Sequence, residues 1–407
     1  MAMTPVQRRD LRLIATFRGV SFLGDSIALV ALFLRLAHGG QPWAVAGLSI
    51  AGALPLVALA PIAGFVVDNV SAKRLLTWLC AGEAVVCVAI GHWHGTVATI
   101  VLMALLTSGV AFSLPGYSAL VPTITGDADL VSGQSTMQAV QGVASTAGPA
   151  VGGVLVGLLG QGWPLYLDAI SFALAGLGTW ALATDRRPAS GHVRPKKGER
   201  DMGAGVRMIF TDKLLSPLMI ITMVFLLLLL MINVAEVFFT TRTLHGSSLM
   251  YGLVGTSFGI GTIAGAMGAK RLHQSPIRLV RTCLVSIVIV GVFIGAIGLV
   301  EHVGYMFPLL AVSGAAVGVV NVAFSSLFAL RTLEAKRGQV FAAMGALTTS
   351  AEMGGTVLGG LALTVIAPRT IFQVAGIVST LSVLVFGPFA LRASRQAHQS
   401  EQTPQGA

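Results

Sequence analysis

The feature that most constrains this chain is a series of twelve apolar stretches, each close to the roughly 20 residues an α-helix needs to cross a hydrocarbon core about 30 Å thick. They fall near residues 11–36, 43–67, 75–90, 97–121, 137–159, 165–182, 218–240, 251–269, 280–300, 305–330, 341–366 and 371–391. Inside a bilayer every peptide group must find its hydrogen bond within the structure, so stretches of this length are helices. Only 10% of the 407 residues are charged and 55% are hydrophobic, too little polarity to cover a water-exposed surface. Gly numbers 49 while aromatic residues make up 7%, the balance expected where helices approach through small side chains in lipid. The expected fold is an all-α membrane protein with twelve transmembrane helices in two pseudo-symmetric six-helix bundles.

The formal net charge of +10 would suit nucleic acid only if the basic residues formed one patch interleaved with aromatics. They lie instead in short runs between apolar stretches, which excludes that partner and matches the retention of Lys and Arg in the cytoplasm. One side carries Arg8, Arg9, Arg12, Lys73, Arg74, the basic residues of 186–213, Lys270, Arg271, Arg278, Arg281, Arg331, Lys336, Arg337, Arg392 and Arg395; the other carries only Arg35, Arg242 and Arg369. A multi-pass protein of the bacterial inner membrane with both termini cytoplasmic is expected. The basic N-terminus precedes an apolar stretch too long for a signal-peptide core, so it is read as retained. Cys80, Cys87 and Cys283 all sit in apolar stretches, and no disulfide framework or Cys-x-x-Cys site is indicated.

The one long polar segment, 184–213, divides the chain six stretches to six. Its second part, 205–213, reads as a short amphipathic helix on the cytoplasmic lipid surface. The expected domains are 1–183 for the N-terminal bundle, 184–215 for the linker with its helix, 216–395 for the C-terminal bundle and 396–407 for a disordered tail. The halves echo each other: Gly64-Phe-Val-Val-Asp68 before Lys73-Arg74 against Gly265-Ala-Met-Gly-Ala269 before Lys270-Arg271, and Gly148-Pro-Ala-Val-Gly152-Gly153 against Gly354-Gly-Thr-Val-Leu-Gly359-Gly360. Two parallel repeats around a central path account for this offset.

The stretch Gly64-x-x-x-Asp68-Asn69-x-Ser71-Ala72-Lys73-Arg74 resembles the cytoplasmic loop signature Gly-x-x-x-Asp-Arg-x-Gly-Arg-Arg of the major facilitator superfamily. Gly64, Asp68 and the basic pair are kept; Asn69, Ser71 and Ala72 depart, so the tight glycine turn and one positive charge are missing. The resemblance implies conformational gating, with Gly64 letting neighbouring helices approach and Asp68 capping a helix or pairing with Lys73 or Arg74. Gly148-Pro149-x-x-Gly152-Gly153 is similar to the signature of facilitator exporters that exchange drug for protons, with Ala144 in place of an earlier Gly. The proline removes a backbone donor and the glycines permit a bend, which also describes a plain packing kink. Gly24-Asp25, Asp168-Ala-x-Ser-Phe172 and Arg337-Gly-Gln-Val340 extend the resemblance over nearly the whole chain, to the Tap-like and enterobactin-exporter-like branch. The fourth stretch lacks the intramembrane Arg that many drug antiporters carry, so other residues must assist any proton transfer.

Ionisable groups at membrane depth are costly and normally face a cavity or a partner. Asp25 lies near the middle of the first stretch, and a carboxyl sheltered from water is what a reversible proton carrier requires. Glu236, in the outer part of the seventh stretch, is read as its counterpart in the second repeat. Glu352 is a further coupling candidate, and Arg18, seven residues before Asp25, balances a carboxylate or snorkels to the surface. Glu83 leans to a structural role and Asp168 to orientation or capping. Gln138, Gln141, Asn233, Asn321, Met231 and Phe238 are the polar and soft residues suited to a tolerant substrate cavity. His92-Trp-His94 reads as solvated, and no metal site is expected.

No His-Glu-x-x-His, Gly-x-Ser-x-Gly or phosphate loop is present, which argues against an enzyme or an ATP-driven pump. The resemblance implies proton-coupled export of amphipathic small molecules by alternating access. The alternatives are a dedicated siderophore or natural-product exporter and, behind it, a nutrient symporter. The implied partners are the lipid bilayer, an amphipathic small molecule and protons. A monomer is expected, with no cofactor beyond the proton gradient.

Overall fold

A computed structural model describes residues 4–39, 42–126, 130–185, 202–269, 275–331 and 337–402. The described chain forms α1 (Pro5–His38), α2 (Pro42–Ala58), α3 (Ala60–Asn69), α4 (Ala72–His92), α5 (Thr96–Thr125), α6 (Leu130–Leu159), α7 (Trp163–Trp180), α8 (Met202–Thr211), α9 (Leu215–Phe238), α10 (Ser248–Ala269), α11 (Pro276–Ile297), α12 (Met306–Arg331), α13 (Arg337–Ala362) and α14 (Pro368–Gln402). No strand occurs among the described residues. Nine of these helices are long and apolar enough to cross a membrane: α1, α4, α5, α6, α9, α10, α11, α12 and α14.

The apolar stretch 43–67, expected as one helix, is two. Pro61 has no N–H to bond back into the preceding turn, and Pro55 sits one turn before the break. Leu59 stands between α2 and α3 with its N–H on the Pro55 carbonyl at 2.9 Å, while its own carbonyl takes the Ala63 N–H at 2.8 Å. The ladder therefore resumes at once on the far side. In α7, Leu167, Ile170, Leu174 and Leu177 are exposed along one face, and the exposed Trp163 and Trp180 close its two ends. These tryptophans are about 25 Å apart along the axis, near the thickness of a hydrocarbon core, as an aromatic belt requires.

The chain clusters into two compact units, Met1–Val193 with His245–Thr256, and Arg194–Leu244 with Ser257–Ala407. In the first, α1 packs on α6 and α7, and α4 packs on α5 and α7. In the second, α9 packs on α13 and α14, and α11 packs on α12 and α14. These are the same pairings in the same order, which is the structural trace of the internal repeat.

Glycines set the seams. A Cβ at Gly152 of α6 would come within 3.1 Å of the Ile27 carbonyl oxygen of α1, and one at Gly359 of α13 within 2.7 Å of the Met231 carbonyl oxygen of α9. In the second unit α10 and α12 touch backbone to backbone: Gly261 and Gly265 lie on the carbonyls of Ala311 and Ala315, and Gly314 and Gly318 on those of Phe258 and Thr262. Spacing of four residues places each pair on one helix face, the small-xxx-small contact of membrane helices.

The amphipathic helix expected at 205–213 forms as α8, but its apolar side is not spent on lipid. Ile209 is fully buried, in a cluster with Met219, Phe324, Phe328 and Val340 of the second unit.

Candidate functional site

The first unit encloses a polar cluster built from four helices. Helical spacing aligns Arg18, Ser21 and Asp25 on α1; Cys80, Glu83 and Cys87 on α4; Gly109, Ser113 and Tyr117 on α5; and Asp168, Ser171 and Thr179 on α7. Arg18, only 3% exposed, donates from Nη1 to Ser21 Oγ at 2.8 Å. Its guanidinium stands 4.3 Å from the Phe22 ring centre and 5.0 Å from that of Tyr117. It does not snorkel: aromatic faces hold the cation inside the unit.

Two carboxyls face that cation, and a third adjoins the first of them. Glu83 is buried, with Oε1 accepting from Ser113 Oγ at 2.9 Å and Oε2 lacking a partner. Gly109 makes room for it, since a Cβ there would lie 3.0 Å from Oε1. Asp168 is buried and accepts from Ser171 Oγ at 3.0 Å and from Cys87 Sγ at 3.4 Å. Gly24 on α1 lies directly against Asp168 and Ser171 and leaves no space for a side chain of its own. Asp25 and Glu83 act electrostatically on Arg18, and Asp25 acts on Asp168. Tyr117 closes the inner side through Thr179 Oγ1 at 3.3 Å and Cys80 Sγ at 3.6 Å. The cluster thus brings one guanidinium and three carboxyls together among four helices of one unit.

The exporter-like motif shares this seam. Gly148 of α6 packs on Ser26, the neighbour of Asp25, and Gly152 packs on Ile27 and Val30. Still within the first unit, Gly153 meets Ser248 and Gly252, Gly252 lies against the Pro149 carbonyl, and the Ala150 N–H donates to Thr256 Oγ1 at 3.0 Å. Beside these contacts an apolar groove of about 470 Å³ runs between α1 and α6, lined by Ala15, Gly19, Leu23, Val140, Val143 and Ala147 among others. Neither Gln138 nor Gln141 lines it; both are exposed on α6.

The loop after α3 is held differently from the expectation. Lys73 donates from Nζ to the Leu182 carbonyl at 2.6 Å, and Asp185 accepts from Ser71 Oγ at 2.8 Å and from the Lys73 N–H at 3.1 Å. Asp185 thus serves the start of α4, where peptide N–H groups lack helical partners, together with Ser71, whose Oγ accepts from the Arg74 N–H at 3.3 Å. The Arg74 side chain is exposed. The Asp68 side chain lies outside the described residues. Gly64 does not let helices approach: a Cβ there would meet nothing within 4 Å. Replacing Asp185 by Ala is expected to cost about 1–3 kcal/mol by stranding these donors, read as a lower unfolding temperature of the purified protein in detergent. An unchanged temperature would remove Asp185 from this role.

Asp10 is buried and takes the Ala183 and Thr184 N–H groups at 3.3 and 2.8 Å, tying the start of α1 to the segment after α7. Arg35 gives Nη1 to the Ile90 carbonyl at 2.8 Å, and Arg369 gives Nη2 to the Val300 carbonyl at 3.1 Å, so two of the sparse arginines of the second side bind carbonyls in the last turn of α4 and just past α11.

In the second unit Glu236 and Glu352 are half-buried, and their carboxylates have no hydrogen-bond or ion-pair partner among the described residues. Glu236 lies five residues, about 7.5 Å, beyond Met231, whose backbone meets Gly359; Asp25 sits next to the matching seam of the first unit. Phe238 is buried with the Arg242 guanidinium 5.4 Å from its ring centre, Met231 is half-buried, and Asn233 and Asn321 are exposed. Asp168 does not cap: it is the sixth residue of α7 and faces inward. Glu83 carries more of the site than its sequence neighbourhood suggested. The signal for it was the polar stripe at helical spacing on α4 and α5.

Comparison with known proteins agrees with this architecture. The Transmembrane secretion effector family model matches residues 1–405. The chain is 26% identical over 372 residues to the multidrug efflux pump Tap of Mycolicibacterium fortuitum, covering 88% of this chain and 90% of that one. It is 21% identical over 357 residues to macrolide efflux protein A of Streptococcus pyogenes, covering 84% and 87%. Among solved structures, a bacterial homologue of the human lysosomal transporter Spinster superposes with a TM-score of 0.70 at 12% identity, over 99% of this chain and 100% of that one. With helices of spanning length, a duplicated packing scheme and a family match over residues 1–405, the chain is a multi-pass membrane protein that belongs to the Transmembrane secretion effector family of the major facilitator superfamily of transporters.

Proposed function

We propose that this transporter exports amphipathic small molecules from the bacterial cytoplasm across the inner membrane in exchange for protons, by alternating access. The observation that carries the reading is the enclosed cluster of the first unit, where Arg18 faces Asp25 and Glu83, Asp168 adjoins Asp25, and protons are the natural complement of charge. Asp25 is the coupling carboxyl, because it alone of the three is half-buried and stands beside the α1–α6 seam that the Gly148–Gly152 pair packs. Glu236 and Glu352 supply proton-binding groups in the second unit. The apolar groove between α1 and α6 is of a size that accepts a small molecule and offers the soft, unspecific contact that amphipathic substrates need. The names of the relatives, a multidrug pump and a macrolide efflux protein, support outward transport of such compounds. The bias of Lys and Arg supports an orientation with both termini in the cytoplasm.

Liposomes reconstituted with the protein test the direction of coupling. With an acidic lumen, protons leaving should drive ethidium inward, and a protonophore should stop it. Ethidium is a fixed cation, so it does not follow a pH gradient passively. Ethidium uptake that instead requires protons to flow in the same direction would establish symport and overturn export.

A further inference from the structure

We propose that a cavity of about 500 Å³ at one membrane edge of the second unit binds an anionic phospholipid of the surrounding bilayer. Its walls are the end of α8 with Phe210, the turn at Lys213, the first turns of α9 with Ile220, and the last turns of α14's apolar span with Phe386, Phe389 and Arg392. The apolar span of α9 begins at Leu215 and that of α14 ends at Ser394, so these two ends meet at the same face of the membrane. Lys213 and Arg392 therefore stand at the rim, at headgroup level. Ile220, Phe389 and Phe386 lie roughly 4–10 Å deeper along their helices. Basic rim above apolar floor is the order in which a phospholipid presents its phosphate and its acyl chains.

Charge complementarity selects the kind of lipid. The acid at the rim, Asp212, is already engaged: its Oδ1 accepts the Leu214 and Leu215 N–H groups at 2.8 and 3.0 Å, and its Oδ2 stands 3.5 Å from Arg331 Nε. Lys213 and Arg392 have no such partner among the described residues. Two unopposed cations suit a headgroup with net negative charge, as basic pockets between helices on the cytoplasmic side do. Phe389 is 59% exposed and Phe210 40% exposed, an aromatic surface that a soluble anion would leave uncovered. The pocket wall is firm, because the opposite side of α8 is locked into the second unit by Ile209.

Native mass spectrometry of the full chain in detergent tests this, with phosphatidylglycerol and phosphatidylcholine of identical acyl chains added at equal mole fraction. Phosphatidylglycerol should be retained in preference. The Lys213→Ala/Arg392→Ala double variant should weaken its retention roughly 25-fold, about a factor of five for each basic side chain. The Lys213→Arg/Arg392→Lys variant should keep it, and millimolar inorganic phosphate should not displace it. If the double variant is not monodisperse, the two single variants should each show the fivefold loss. Equal retention of the two lipids, unchanged phosphatidylglycerol in the alanine variants, or displacement by inorganic phosphate would overturn the proposal.

Discussion

Asp25→Asn is expected to abolish proton-driven efflux of ethidium, by at least about tenfold, while the protein stays monodisperse. The substitution is nearly isosteric and leaves no cavity, so folding has no packing reason to fail. Asn retains the dipole facing Arg18 but cannot take up and release a proton, which is the whole of the role assigned to Asp25. The neighbourhood sharpens the outcome, because Arg18 and Asp168 both act electrostatically on this position. Removing its charge therefore changes the balance of the entire cluster and not of one side chain. Glu83→Gln makes the companion measurement: Ser113 keeps its acceptor at Oε1, while the carboxyl whose Oε2 has no partner is lost. Full gradient-driven efflux in Asp25→Asn would take this residue out of the mechanism, and full efflux in the combined Asp25→Asn/Glu83→Gln variant would take out the cluster.

Gly265→Leu is expected to prevent the second unit from assembling. A side chain at this position runs into the carbonyl of Ala315 on α12, which is backbone and cannot rotate aside. Overpacking in soluble cores costs about 1–3 kcal/mol when side chains can adjust. Here α10 and α12 must separate along the whole seam that Gly261, Gly265, Gly314 and Gly318 form, so the cost exceeds that range. Gly268→Leu is the matched control: it lies on the same helix three residues on, and a Cβ there meets nothing within 4 Å. Size-exclusion profiles after detergent extraction should show aggregate for the first variant and a normal peak for the second. Two equal profiles would mean that helix approach at this seam is not what holds the unit.

The contrast between Gly265 and Gly64 shows where sequence reading stops. Both lie in motifs that repeat across the halves, both precede a basic pair, and both look like sites of close helix contact. Only Gly265 has a backbone against it; Gly64 faces open space. Composition says that small residues will form seams but not which of 49 glycines will lie in them.

Hydropathy and charge spacing determined, without coordinates, that this chain is a helical membrane protein with a duplicated plan, because the lack of water in a bilayer forces each apolar stretch into a helix whatever its neighbours are. They also marked Asp25, Glu236 and Glu352, since a carboxyl in such a stretch is rare enough to stand out. Tertiary structure decided the rest. It broke the stretch at 43–67 into α2 and α3, turned the apolar side of α8 into the second unit, and gave Lys73 the Leu182 carbonyl. It also drew Glu83 and Tyr117 to Arg18, and Asp168 to Asp25, from three other helices. Spacing along one helix fixes which side chains share a face, whereas the face that a helix turns toward its neighbours depends on contacts far apart in the chain.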